Sequence, residues 1–301
     1  ILGIVGILAN VLNILVLFRH SLNDSISVVL FGTAVSDLIY SLNETLNRLI
    51  AIIGEVFGYD LTFDAFSFFY VYLRYISPCA ITISAWLVAL VSMERMFAVC
   101  FPFHASRIIT VKRMTFMVLF VYVFLVFLNS PAIFDHYLTS FFYPVSNYTG
   151  EAMLERKFFM DNPWFETFFY NEVLPVVGSP LPMIAILVFT LATIIRLGVS
   201  SKTIGNMSTS RAKRAKEMTS IKISLAISCS MVLLIFMPRA GLDAYYKIMD
   251  RSLLPHVWAF YNELTELARQ LNATINFFIY VAFSSKFQKT FLKVIQCKYG
   301  N

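Results

Sequence analysis

An acid and a base stand side by side at Glu94 and Arg95, close to the end of a long apolar run that Pro102 terminates. Ionisable groups at the edge of such a run are costly unless paired or put to use. The pair therefore either marks the border of an apolar medium or has a task there. A second set sits within apolar runs: Asp37, with Asn10, Ser84, Asn272 and Asn276. Asn272 and Asn276 are four residues apart and share one helical face. A carboxylate with hydroxyl and amide neighbours offers the oxygen ligands a hard cation prefers, and sodium is the natural candidate. The same residues would equally serve as a polar lock between helices. A third set comprises Glu44, Arg74, Ser77, Arg239, Asp243, Glu263, Glu266 and Gln270. Glu263, Glu266 and Gln270 follow an i, i+3, i+7 stripe, and Arg239 and Asp243 are four apart. Charges of both signs at one depth point to a water-filled ligand cavity; the alternative is that these side chains snorkel or pair with one another.

The elements that position these residues follow from composition. The chain is 58% hydrophobic and 14% charged, whereas a soluble domain carries about 25% charged residues. Seven apolar runs appear, at residues 1–18, 26–53, 66–99, 114–134, 173–197, 221–242 and 255–283. Spanning a bilayer takes ~20 apolar residues, and a helix satisfies its own backbone groups in hydrocarbon. The expected fold class is all-α: a membrane protein forming one seven-transmembrane helix bundle over residues 1–301. Phe287, Phe291 and Ile295 recur between lysines and predict a short amphipathic helix at 284–295, lying on the inner leaflet.

Charge sets the expected orientation. With the N-terminus outside, most of the 24 basic residues fall on the inner connections and tail, beside only Asp24, Glu94 and Glu217 as acids. An excess of Lys and Arg marks the cytoplasmic side, so the N-terminus is expected to be extracellular and the C-terminus cytoplasmic. Asn147-Tyr-Thr149, in the long outer connection between the fourth and fifth runs, fits an N-glycosylation acceptor. Cys297, just beyond the amphipathic stretch, is a candidate for S-palmitoylation or a free thiol. The four cysteines offer no loop pair, so no disulfide is expected.

Catalysis finds no support. The four histidines are scattered without metal-ligand spacing, and neither a phosphate-binding loop nor a nucleic-acid motif is present. An enzyme is not expected.

Five ordered motifs carry a resemblance. They are Asn10, Thr33-Ala-Val-Ser-Asp37-Leu38, Ser92-Met-Glu94-Arg95-Met96, Phe236-Met-Pro238 and Asn276-Phe-Phe-Ile-Tyr280. On these the chain resembles the rhodopsin-like G-protein-coupled receptors over essentially its whole length. The runs Leu22-Asn-Asp-Ser25 and Asn272-Ala-Thr-Ile-Asn276, with Ser284-Ser-Lys-Phe287, look most like invertebrate FMRFamide-peptide receptors and molluscan chemosensory receptors. The resemblance implies a plasma-membrane receptor for an extracellular peptide or small molecule that activates a heterotrimeric G protein. It implies that Glu94 holds Arg95 at rest, that a released Arg95 meets the G protein, and that Tyr280 swings to support the open state. Pro238 would kink the sixth span by removing a helix hydrogen bond, next to Phe236. A cationic group on the ligand would meet Glu266 or Glu44.

The departures from that family are also legible. Tyr70 stands where a disulfide cysteine is usual, Phe236 replaces a Trp, Phe277 a Pro and Met96 an aromatic residue. A competing expectation is a transporter or channel that uses Asp37 in an ion path. Transporters often show two related halves, which the seven unrelated runs do not.

Overall fold

A computed structural model describes residues 1–19, 22–57, 68–143, 148–203, 211–238, 241 and 255–296. The first apolar runs form α1 (Leu2–Arg19) and α2 (Ser25–Phe57). The Asp24 carboxylate starts α2 by accepting the Ser27 N–H at 2.8 Å, which satisfies one of the donors a helix leaves open. α3 (Ile76–Cys100) follows a π-helical turn at Phe69–Leu73. A short helix, Pro102–Ile108, leads into α4 (Val111–Asn129), whose cap Thr110 accepts the Arg113 N–H. After a connecting segment come α5 (Pro180–Thr203) and α6 (Arg211–Met231). α7 (Pro255–Phe283) and α8 (Ser285–Ile295) close the chain, with Ser284 capping α8 through the Phe287 N–H at 3.2 Å.

Among the described residues, five helical segments are long and apolar enough to cross a membrane: Leu2–Arg19, Ser25–Ile53, Val71–Cys100, Val111–Ala132 and Leu174–Leu197. The sixth run yields a shorter apolar stretch, Ile221–Phe236. α7 has ample length but carries Glu263, Glu266 and Arg269. The result is a helical membrane bundle, with α7 and α8 bounded almost where the sequence places them.

Two features depart from the sequence reading. The basic run Arg211–Lys216, expected as part of a polar connection, is the first part of α6, ten residues ahead of the expected start. Its Ala, Lys and Arg residues are strong helix formers, so the helix continues past the apolar stretch. The connection after α4 holds an antiparallel hairpin, β1 (His136–Tyr143) and β2 (Tyr148–Glu155), paired from His136 with Glu155 to Tyr143 with Tyr148. The aromatic and β-branched content of β1 suits a pleated ladder, a local element that the all-α expectation omitted.

α3 is the axis of the bundle. Ala85, Leu87, Val88 and Val91 are wholly buried, and α3 packs against α2, α4, α5 and α6. The Trp86 indole N–H donates to the Val177 carbonyl at 3.0 Å, tying α3 to the segment that leads into α5. Tyr122 of α4 donates to the Gly32 carbonyl of α2 at 2.7 Å.

Two further π turns, Phe169–Val173 and Val232–Phe236, each end two residues before a proline, Pro175 and Pro238. A proline lacks the N–H for its helical bond and its ring collides with the carbonyl four residues back. The Met237 N–H reaches the Val232 carbonyl instead, so a widened turn absorbs the misfit. Pro238 thus acts through a π turn.

α1 lies against α2 and α7 at Gly6. A Cβ there would come within 2.5 Å of Gln270 Nε2 and 2.9 Å of both Ser41 Oγ and Thr274 Oγ1. Those side chains are held by hydrogen bonds: Gln270 donates to Ser41 at 3.1 Å and Thr274 to the Gln270 carbonyl at 2.7 Å. Replacing Gly6 with Leu is expected to cost about 1–3 kcal/mol by overpacking. A thermal melt of the purified protein should drop accordingly, and an unchanged melting temperature would refute this close approach.

Candidate functional site

At one end of the bundle, Arg95 of α3 holds both carboxylate oxygens of its neighbour Glu94 through Nε and Nη2. Glu94 is buried and also accepts from Ser25 Oγ of α2 at 3.0 Å. The space between Arg95 and Thr190, Thr193 and Ser224 is too small to hold a water molecule. One turn deeper, Ser92 and Ser228 join α3 to α6 through their hydroxyls at 2.8 Å. Among the described residues, α5 and α6 therefore pack closely over Arg95. Tyr280 is buried beside this end of the bundle, its ring 5.5 Å from Phe287 of α8. Phe277 stacks edge-on against Phe291 at 5.3 Å and Phe287 at 6.0 Å. Phe236, at the end of its π turn, is buried in the same core.

Midway along the bundle, Ser84 Oγ donates to one oxygen of Asp37 and Asn276 Nδ2 to the other, both at 2.8 Å. The Asn276 Oδ1 is buried with no hydrogen-bond partner. Of the five residues grouped by sequence, these three meet. Asn10 and Asn272 go elsewhere: Asn10 donates to the Ala273 carbonyl of α7 at 2.8 Å, and the Asn272 amide faces Met231 Sδ at 3.9 Å. Through their amide nitrogens Asn10 and Asn272 hold α1 and α6 to α7. Asn13 is a further buried amide, 3.5 Å from Asn10 Oδ1. Its i, i+3 spacing from Asn10 could have flagged it in the sequence.

At the opposite end, a cleft of about 580 Å³ opens between α1, α2 and α7. Glu44, Glu263, Glu266 and Gln270 line it, as the sequence grouping anticipates, together with Tyr40 and Arg48. Glu266 is held by Arg269 and by the Tyr40 hydroxyl, which donates at 3.1 Å. Arg48 meets Glu263 at 3.2 Å on the surface. Tyr40 and Arg48 escaped the sequence reading because an aromatic and a basic residue in an apolar run have many ordinary uses.

Arg74 and Ser77, grouped with these by sequence, do not line the cleft. Asn43 Nδ2 donates to Ser77 Oγ at 2.8 Å and to the Leu73 carbonyl at 3.2 Å, and the Ser77 hydroxyl in turn supports Glu44 of the cleft, so Ser77 joins α3 to α2 just behind it. Arg74 Nη2 meets Asp135 Oδ2 at 2.9 Å, and the Tyr75 hydroxyl donates to the same oxygen at 2.7 Å. His136 Nδ1 lies 2.8 Å from the other Asp135 oxygen. The Asp135 carbonyl accepts the Arg156 N–H at 2.8 Å, closing the base of the hairpin. Asp135 thus fastens both strands to the start of α3. Arg239, Asp243, Asn147 and Cys297 lie outside the described residues.

With this geometry in view, sequence comparison is decisive. The profile of the serpentine type 7TM GPCR chemoreceptor Srw family matches residues 1–298. The chain belongs to that family. The FMRFamide receptor of Drosophila melanogaster is 22% identical over 306 residues, covering 98% of this chain and 52% of that protein. The chain spans about half the length of this curated relative.

In this Srw-family chain the hairpin is tied down by charge and hydrogen bonds. No cysteine occurs between α4 and α5, and Cys79, Cys100 and Cys229 are free thiols. Asp135 is buried, and removing one partner of a buried pair costs ~3 kcal/mol. Asp135→Ala should therefore speed amide exchange across His136–Tyr143 while leaving α1 and α2 protected. Equal exchange in mutant and wild type would show that Asp135 does not fasten the hairpin.

Proposed function

We propose that the chain is a rhodopsin-like receptor of the plasma membrane, with its N-terminus outside, its C-terminus inside and seven spans. It binds an extracellular peptide or chemosensory small molecule in the cleft between α1, α2 and α7. It then activates a heterotrimeric G protein at the Arg95 end. The observation that carries this reading is the contrast between the two ends, an open charged cleft at one and an arginine packed over by α5 and α6 at the other. The charge asymmetry of the connections supports the orientation. The match over residues 1–298 favours a receptor over a transporter or channel.

In the resting geometry Glu94 neutralises Arg95, and α5 and α6 cover it. Ligand binding shifts the equilibrium only through its greater affinity for the other state. In that state α6 pivots at its π turn beside Pro238, the Ser92–Ser228 contact parts, and Arg95 leaves Glu94 for the G protein. Tyr280, buried beside this end, and Phe236, buried further along α6 at its π turn, repack as the space opens. Losing the charged contacts of Arg95 removes about 1.5–3 kcal/mol. Arg95→Ala should thus weaken agonist-driven nucleotide exchange roughly tenfold or more while leaving agonist binding intact. Unchanged exchange would sink the mechanism.

Asp37, Ser84 and Asn276 fit a sodium ion, because Asn276 Oδ1 is a buried oxygen without a partner beside a carboxylate. Such an ion would neutralise Asp37 and hold α2, α3 and α7 in the resting arrangement. Replacing sodium with choline should raise agonist affinity in the wild type and have no effect in Asp37→Asn. Equal sodium sensitivity in the two proteins would exclude this site.

A further inference from the structure

We infer that Glu44 is the specificity-determining counterion of the cleft, and that the cleft takes a cation carried on an apolar body. This rests on reading the cleft as the ligand site and assigns the ligand's chemistry within it.

The cleft's charges do not cancel. Glu263 is matched by Arg48 and Glu266 by Arg269. Glu44 is the third carboxylate, and among the described residues no Lys, Arg or His nitrogen lies within ion-pair distance of it. Ser77 of α3 gives it a neutral hydrogen bond, Glu266 repels it, and Arg48 and Arg269 act on it only as charges already committed to other acids. A carboxylate in an apolar-walled recess without a cation is costly, and a ligand ammonium or guanidinium would offset that cost.

The walls supply the second half of the assignment. Leu49 and Ile52 of α2, Phe260, Leu264 and Leu267 of α7, and Ile4 of α1 line the cleft and stay exposed. Exposed apolar side chains around a few convergent polar groups are the usual make-up of a small-molecule site. Glu266 is the weaker candidate for the counterion, since Arg269 and Tyr40 already occupy its oxygens. Entry requires little: the Arg48–Glu263 pair joins α2 to α7 at the surface with both side chains more than half exposed, and such pairs contribute at most about 1 kcal/mol.

The test uses the full chain in nanodiscs of zwitterionic lipid and two probes of one shape, phenylbutylammonium and uncharged phenylbutanol. Binding is read by ligand-observed NMR with competition between the two. The wild type should prefer the ammonium by about tenfold, equivalent to one partly buried ion pair. Glu44→Gln should erase the preference, Glu44→Asp should restore most of it, and Glu266→Gln should leave most of it in place. Equal binding of both probes to the wild type, or a preference that survives Glu44→Gln, overturns the assignment while keeping the cleft as a ligand site. Binding of neither probe overturns the assignment and the cleft reading together.

Discussion

A polar atom enclosed in an apolar medium must find its partner inside the protein, and Asp37 is where this demand is greatest. Its two oxygens are claimed by Ser84 of α3 and Asn276 of α7, so one carboxylate fixes three helices. The neighbouring polar contacts repeat the logic. Ser36 donates to the Ala80 carbonyl at 2.6 Å and holds α2 to α3, while Asn10 holds α1 to α7. Apolar packing between helices is nearly indifferent to small shifts in lipid, where the surroundings are as apolar as the interface. Hydrogen bonds of this kind give the bundle its register.

That constraint divides the molecule into a rigid middle and two ends with different freedoms. At the Arg95 end, charge is enclosed and neutralised by an adjacent residue. At the other end, charge is shared among α2, α7 and the hairpin in pairs of graded burial. The Arg48–Glu263 pair is surface-exposed and weak, Glu266–Arg269 is half-buried, and Asp135 with Arg74 is the most enclosed. The enclosed pair fastens a hairpin and the exposed one crosses the mouth of a cleft. Burial thus grades these contacts from structural to yielding.

Much of this was legible in the sequence, and the limits are physical. Hydrophobic runs gave the helices because apolar length is a strong local signal, and α7 came out as read despite its charges. The start of α6 was missed because apolarity stops at Ile221 whereas helix propensity does not. Asp37, Ser84 and Asn276 stand out in the sequence because each is a polar residue deep in a run, and the three side chains meet. Asn10 and Asn272 were grouped with them on the same ground, but sequence spacing does not say toward which neighbour an amide points. Arg74 and Asp135 are 61 positions apart, in the turn before α3 and just ahead of the hairpin, with no shared period. Their meeting is a property of the tertiary fold alone.

Phe277 lies within α7, which runs unbroken to Phe283. Its ring and that of Tyr280 both lodge against α8 through Phe287. The two helices therefore behave as an angle bracket with an aromatic weld at the corner. Tyr280 packs on Phe287, so any rearrangement of the tyrosine ring also changes a contact that joins α7 to the lysine-bearing α8.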